Sequence, residues 1–544
     1  MKKGFMYGVL IFTLTGVVGW AQQASSSGSS INLPDMTEEV RPLENQTPAA
    51  PTPDLPPLPL PTPVPPLPKE KDLTIPEGAL KTTTTLDTQS RADLGETFNE
   101  IRLGAGLWDA VSANLSLYRP GANPAFSLGF SHDSMDGFAF HSPGEGYTAR
   151  ATSLTGRLRG GTKDSTSWSV QGAFSDESTG LQGKSADFYA ASHQYLSLLG
   201  NYKVPLGPLS LSSTLEGHNA FLSLDRSHSA TAIDSASREL YLAPTVALGW
   251  ATDTLGLEVR GHYDFAGLWG DTGSLNPSDT SKQSGVIDVS GTYDASPSLS
   301  LGSSVGALWS SAVPLLIPFS LWVNAAVGDG AAVQIKGGLE SQRVTLESLW
   351  RTNPFTDLGP LAADEDRFFT RVALDLFPKP DTTVHLAADW ATSYQDSGRV
   401  TFWQSSATAN RYLYSYGIQA FTSLLSTVFL RQRISLVNLS VTWNSQWLDP
   451  PVVGKRQKIS GEIEYREQME RYGAALSVAL PFDEGGLDIP VINLNGFGRV
   501  SPGIRVIGEL GDLAMAAKGT EGRSLWGPYL GTGFTAALKV QFSL

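Results

Sequence analysis

The chain has 544 residues, no Cys, only 17% charged residues and a formal charge of −14. Without Cys it offers no disulfide, no thiolate metal site and no lipid-modified N-terminal Cys. The acidic balance argues against a binder of nucleic acid or anionic lipid, both of which need a basic footprint, while 55 Gly and 13 Trp beside so few charges suit a protein with two kinds of surface and little helix.

Lys2 and Lys3 precede an apolar run over residues 5–18, and Gly19 and Ala21 put small residues where a signal peptidase reads. Residues 1–21 are therefore expected to be a secretory signal peptide, cleaved after Ala21. The run is shorter than the roughly 20 residues of a spanning helix, which counts against an uncleaved anchor. No other segment qualifies as a membrane helix, so a mature chain embedded in a membrane must cross it as strands.

Residues 22–97 form a low-complexity arm whose centre is dominated by proline, including Pro51, Pro53, Pro56, Pro57, Pro59, Pro61 and Pro63. Such a run cannot donate backbone hydrogen bonds into a sheet or helix, so a disordered polyproline spacer is expected, about 3.1 Å per residue where extended. A docking segment for a periplasmic partner is the alternative. Spacer is favoured, because apart from Asp54 no charged or aromatic anchor interrupts the prolines.

From residue 98 to residue 544 one scheme repeats: an alternating strand, a short turn, a second alternating strand and a longer polar loop. Val246, Leu248 and Trp250 share a face, 251–254 turn, and Leu255, Leu257 and Val259 return with Glu258 and Arg260 opposite. Similar hairpins centre on 205–208, 294–297, 378–381 and 501–503, with turns rich in Pro, Gly, Asp and Ser. Long polar connections are expected at 217–238, 265–284, 352–366 and 392–409. Short turns at one end and long loops at the other are the asymmetry of a transmembrane barrel, with the short end periplasmic. Aromatics near strand ends (Tyr202, Trp250, Tyr293, Trp309, Trp350, Trp390, Trp443, Tyr529) fit headgroup-level anchors. The fold class expected is all-β: an antiparallel up-and-down transmembrane barrel of about 22 strands, range 18–22, the higher count taking 331–350 as one strand and 411–443 as two. A soluble sandwich would carry bulkier apolar faces and shorter strands. The face opposite the apolar one supplies candidate lumen charges, Arg157, Arg159, Glu258, Arg260, Glu462 and Glu464. Arg157 with Arg159 could favour anionic solutes, but the favoured reading is ordinary lumen charges balanced by neighbouring carboxylates.

The last stretch, 527–544, alternates almost without a break: Leu530, Thr532, Phe534, Ala536, Leu538, Val540, Phe542 and Leu544 on one side, small or polar residues on the other. It resembles the closing strand of bacterial outer-membrane barrels, whose terminal aromatic the barrel-assembly machinery reads. Phe542 and Leu544 are the corresponding assembly signal here. The segments Ile101-Arg102-Leu103-Gly104-Ala105-Gly106, Ala113-Asn114-Leu115-Ser116-Leu117-Tyr118-Arg119-Pro120 and Phe126 to Phe138, with its Ser134-Met135-Asp136-Gly137, resemble in order the first three barrel strands of TonB-dependent receptors. The resemblance implies a receptor-type barrel and uptake of a small nutrient. This sequence departs from the family where a folded plug domain should precede the barrel: signal, proline arm and a polar stretch stand there instead. Asp72-Leu73-Thr74-Ile75 has the form of a coupling box, but four residues of that kind recur by chance. With the plug missing, TonB-driven transport is not implied.

Catalytic and metal chemistry find little support. Seven His are scattered without HExxH or paired spacing, so neither a metal nor another cofactor is expected. Ser131-His132-Asp133 cannot act as a triad within a strand, because Ser131 and Asp133 point away from His132. Nothing places a Ser beside His385 for lipase chemistry. The reading is a non-enzymatic barrel in the bacterial outer membrane for passage or uptake of small solutes, with lipid and the assembly machinery as its other partners. The alternative is a surface-exposed adhesin or interaction protein built on a sealed barrel.

Overall fold

The computed structural model describes residues 97–543, apart from 163–165, 186–187, 227–235, 271–280, 311–314, 329, 357–363, 380, 396, 405–413, 450–456, 484–485, 520–521 and 527–528. The expected signal peptide, all but the last residue of the expected arm, and Leu544 thus lie outside the described residues. The chain opens with β1 (Phe98–Gly106), β2 (Val111–Arg119), β3 (Ala125–Asp136), β4 (Thr148–Gly161), β5 (Ser167–Gly180) and β6 (Phe188–Leu206). It continues through β7 (Leu209–Arg226), β8 (Ala236–Ala251), β9 (Leu255–Gly270), β10 (Ser281–Ser296), β11 (Leu299–Ser310), β12 (Phe319–Val327) and β13 (Ala331–Gln342). After the short helix α1 (Leu346–Thr352) come β14 (Glu365–Lys379), β15 (Thr382–Ser393), a loop hairpin of β16 (Arg399–Gln404) and β17 (Tyr414–Gln419), then β18 (Thr422–Ile434) and β19 (Val437–Asp449). The last part holds β20 (Gln457–Arg466), β21 (Tyr472–Asp483), the two-residue β22 (Gly486–Leu487), β23 (Val491–Ser501) and β24 (Ile504–Gly511). It ends with helix α2 (Leu513–Lys518), the small hairpin β25 (Ser524–Trp526) and β26 (Tyr529–Leu530), and β27 (Thr535–Ser543).

Leaving aside β22 and the two loop hairpins, 22 antiparallel strands pair in sequence order, and the ring closes where β27 lies between β24 and β1. At the seam Ile101 faces Phe542 and Leu103 faces Val540, while Ile504 and Val506 face the same two residues from the other side. Alternation explains both surfaces. Leu154 and Leu158, Leu196 and Leu198, Val246 and Leu248, Leu257 and Val259, and Ile287 and Val289 all stand exposed on one face of their strands. A continuous apolar belt of this kind belongs against lipid, and the intervening residues line the interior. Among the described residues no helix is long and apolar enough to cross a membrane.

The turns from β2 to β3 and onward at that end are two to five residues long, whereas 343–364, 394–421 and 512–534 at the other end are long and carry the helices and hairpins. The expected hairpins at 205–208, 251–254, 294–297, 378–381 and 501–503 all lie at the short-turn end. Two expectations for the long-loop end change. The stretches 217–226 and 236–238 continue β7 and β8, and 265–270 and 281–284 continue β9 and β10, so two connections read as long loops are partly strand. A tilted strand crosses the hydrocarbon in about 9–11 residues, whereas β6 has 19 and β7 has 18. Their upper parts rise beyond lipid, where an outward face need not be apolar, and the pattern fades although the pairing goes on. The second change is at 331–350, which is not one strand. β13 ends at Gln342, and Thr345 and Ser348 form a reciprocal capping box, Ser348 N donating to Thr345 Oγ1 at 3.2 Å and Thr345 N to Ser348 Oγ at 3.1 Å. Leu346, Leu349 and Trp350 then recur at helical spacing and are buried on one side of α1.

The two faces respond differently to charge. Val289→Arg, on the lipid face about half-way along β10, is expected to lower the unfolding free energy by about 2–4 kcal/mol. Ser290→Arg, one residue on and facing the interior, should stay within about 0.5 kcal/mol of the parent. Urea unfolding of vesicle-embedded protein measures both, and equal losses would contradict the facing assignment.

Candidate functional site: a charged lumen under a roof of loops

A cylinder of 22 strands is too wide for its own side chains to fill, so what lines and covers the interior decides what it can do. The alternation places Arg157 and Arg159 on the inner face of β4, opposite Leu154 and Leu158, and both are exposed. Glu258 is likewise exposed on the inner face of β9. Arg260, two residues along, forms a two-point pair with Asp288 of β10 at 2.9 and 3.1 Å. On β20, Glu464 accepts from Arg466 at 2.7 Å and from Asn438 at 3.1 Å, and the Glu462 side chain faces the same way. The six therefore sit on three separate strands and do not form one cluster. Phe542 lies on the outer face of β27 at its short-turn end, paired with Ile101 and Ile504.

The densest charge lies elsewhere, on β13 to β15. Arg367 donates to Glu340 at 2.7 Å and to Glu365 at 3.0 Å; Arg371 donates to the same Glu340 oxygen at 2.6 Å and to Asp389 at 3.2 Å. Arg367, Arg371 and Asp375 stand four residues apart on one face of β14, but Glu340 and Asp389 come from two other strands, and only the pairing reveals the network. A second network joins β8, β9 and β10 to the loop ahead of β14. Asp264 accepts from Tyr241 at 2.5 Å and Ser284 at 3.1 Å and lies 3.0 Å from His262, while Lys282 reaches Asp364 at 2.6 Å. His132 points outward beside Thr152, away from Ser131, and His385 contacts Asp375 at 2.6 Å inside the barrel.

Above these networks the three long loops fold onto the inner face of the tall strands β5 to β9. Leu346, Leu349, Trp350 and Phe355 of the first loop, Tyr414 of the β16–β17 hairpin and Tyr529 of the last loop form one cluster with Leu181, Tyr195, Leu222 and Leu268 of the wall side. The rings of Phe355 and Tyr529 stack at 3.6 Å. Trp350 and Tyr529, expected at the lipid headgroups, are each only 1% exposed and belong to this roof. They sit in long connections that turn inward, whereas Tyr202, Tyr293, Trp309, Trp390 and Trp443, on true strands, do face out.

Polar contacts fix the roof in place. Gln182 both donates to the Leu530 carbonyl at 2.8 Å and accepts from Leu530 N at 2.9 Å. Arg523 clamps the last loop to its neighbour through Asp512 and the carbonyls of Ile489 and Pro490. Arg351, above the Tyr195 ring, pairs with Glu177 of β5 at 2.8 Å and with Glu347 at 2.9 Å. Burial works against the charge of this guanidinium, but Glu177 and Glu347 outweigh it and hold its pKa above the ordinary value. Burial also pushes the Tyr414 and Tyr529 phenols up. Glu239, fully buried on β8, accepts from Leu346 N at 2.8 Å at the start of α1. Glu239→Ala leaves that donor unpaired, a cost of about 1–3 kcal/mol. Tryptic cleavage after Arg351 in the folded barrel should then accelerate about tenfold or more, and an unchanged cleavage rate would show that Glu239 does not hold α1 down.

No family model matches the chain, and neither does any curated protein. Solved structures do. The apoprotein form of the FrpB iron transporter from Neisseria meningitidis (F5-1 variant) superimposes with a TM-score of 0.61 over 82% of this chain and 81% of that one, at 9% identity. The siderophore receptor PirA from Pseudomonas aeruginosa gives 0.58 over 82% and 80% at 11% identity, and the copper transporter OprC gives 0.59 over the same shares at 11% identity. At such identities the likeness is one of fold, and the matched share is about that of the barrel. The chain has the fold of the outer-membrane barrels of TonB-dependent receptors, as its first three strands and its closing strand imply.

Proposed function

We propose that this protein is an outer-membrane transport barrel that passes small solutes through a charge-lined lumen, with the three-loop roof as its gate. The observation that carries the reading is the pairing of an unbroken lipid-facing belt with an inner wall of paired and exposed charges, which only water or solute can match. The names of the similar structures, two transporters and a siderophore receptor, support transport as the general role. Binding and passage need no covalent step: selection would come from lumen width and wall charge.

Single-channel recording of refolded protein in a planar bilayer tests this. Ohmic steps, or discrete openings as the roof moves, are expected. A correctly folded barrel that stays silent under all voltages would instead favour the sealed interaction barrel. The same recording without residues 22–97 tests the spacer role of the proline arm, for which an unchanged current is expected.

A further inference from the structure

Lys336 stands apart from the other wall cations. It lies on the inner face of β13, in register with Trp322 of β12 on one side and Arg371 of β14 on the other. Its ammonium sits 5.8 Å from the centroid of the Trp322 ring. That ring lies flat against the wall because residue 302 is Gly: a Cβ there would come within 2.1 Å of the indole. The charges that act on Lys336 are those of Arg371, Glu340 and Arg260. Each of those three is already engaged, Arg260 by Asp288 and Arg371 by Glu340 and Asp389, while Glu340 is shared between Arg367 and Arg371. Lys336 itself has no carboxylate within ion-pair distance among the described residues. The wall beside it is small and polar, with Ser304 and Ser320 hydrogen-bonded at 2.8 Å and Gly338 next along β13.

An ammonium with no ion-pair partner among the described residues, beside the Arg371 guanidinium and held over an indole in the lumen, is an arrangement that wants an anion. A network of balanced lumen charges would give Lys336 its own acid. We infer that Lys336, with Arg371 in register beside it and Trp322 beneath it, is a binding site for a small oxyanion, phosphate or carboxylate, part-way along the lumen. Both present negatively charged oxygens to a compact, strongly hydrated point charge, for which lysine is suited. The role of the site as a step on a permeation path rests on the transport reading; its existence as a binding site does not.

Calorimetric titration of the detergent-folded full chain with sodium phosphate, and separately with sodium acetate, at fixed ionic strength provides the test. Saturable binding is expected for one or both, and the stronger of the two identifies the oxyanion type. Lys336→Gln should weaken it about tenfold or more, while Lys336→Arg retains it within about threefold. Trp322→Phe should keep binding but remove the accompanying change in tryptophan emission. Binding that is unaltered in Lys336→Gln, or absent from the folded parent, overturns the site. Bilayer recordings on the same proteins separate the two proposals. A silent barrel that still binds phosphate through Lys336 sinks transport and leaves the site. A conducting barrel whose phosphate affinity ignores Lys336 sinks the site and leaves transport.

Discussion

A chain that stops after Gly533 is expected to form no barrel at all. β27 pairs along its length with β24 on one side and with β1 on the other, so its loss leaves two unpaired edges facing each other across the missing strand. In hydrocarbon every unpaired N–H and C=O costs several kcal/mol, and an interruption of this length exceeds any stability the remaining ladders could supply. Refolding into detergent should yield none of the heat-modifiable, protease-resistant species that the parent gives. Val540→Pro makes the same point with one residue. It removes a donor in a strand paired on both sides, where proline is not tolerated, so the folded fraction should fall more than about tenfold while Val540→Ala folds. Efficient folding of the truncated chain would mean that the ring closes elsewhere. Phe542→Ala separates pairing from recognition, because its backbone ladder is intact. If Phe542 is read by the assembly machinery, the variant refolds normally in detergent and is defective only when assembled in cells.

The features that were legible in the sequence are those governed by local alternation. At Leu255, Leu257 and Val259, or at Leu538 and Val540, each residue's face is set by its neighbours two positions away, so strand, face and turn could all be read from the chain. The pattern becomes unreadable where the surroundings stop being two-faced. The upper part of β7 stands clear of lipid, and there, at Asn219, Ser223 and Asp225, pairing persists without an apolar outer face. In the loops, Trp350 and Tyr529 look like any other strand-end aromatics until the chain folds back and buries them together with Tyr195 and Leu222. The wall networks were hidden for a related reason. Glu340, Arg367, Arg371 and Asp389 are each unremarkable on their own strands, and their grouping depends on the register of β13 against β14 and of β14 against β15. A partial cue existed in the capping pair Thr345 and Ser348, which marks a helix start inside what alternation alone takes for strand.

Removing the two buried aromatics of the first long loop is expected to open the roof while leaving the cylinder standing. Trp350 and Phe355 are 1% and 0% exposed, and Phe355 stacks on Tyr529 of another loop. Truncating a fully buried Trp or Phe to Ala costs about 3–5 kcal/mol. In most folds that loss is charged to global stability. Here the strands are held by their own ladders, so it falls on the docking of the loops against β5 to β9 and shifts the closed-to-open ratio by about two to four orders of magnitude per residue. Trp350→Ala combined with Phe355→Ala should therefore convert brief or partial openings into a long-lived open state and accelerate solute flux in liposome swelling, with circular dichroism unchanged. Arg351→Ala is the informative contrast. Its pair with Glu177 is half-exposed, with side chains 40% and 37% accessible, and such a pair contributes about 0–1 kcal/mol, so only a small change in open time is expected. Trp443→Phe, on the lipid side, should change neither current nor flux. If the double variant conducts and swells like the parent, the loops are not what restricts passage, and the barrier must lie lower in the lumen, among the charges of β13 to β15.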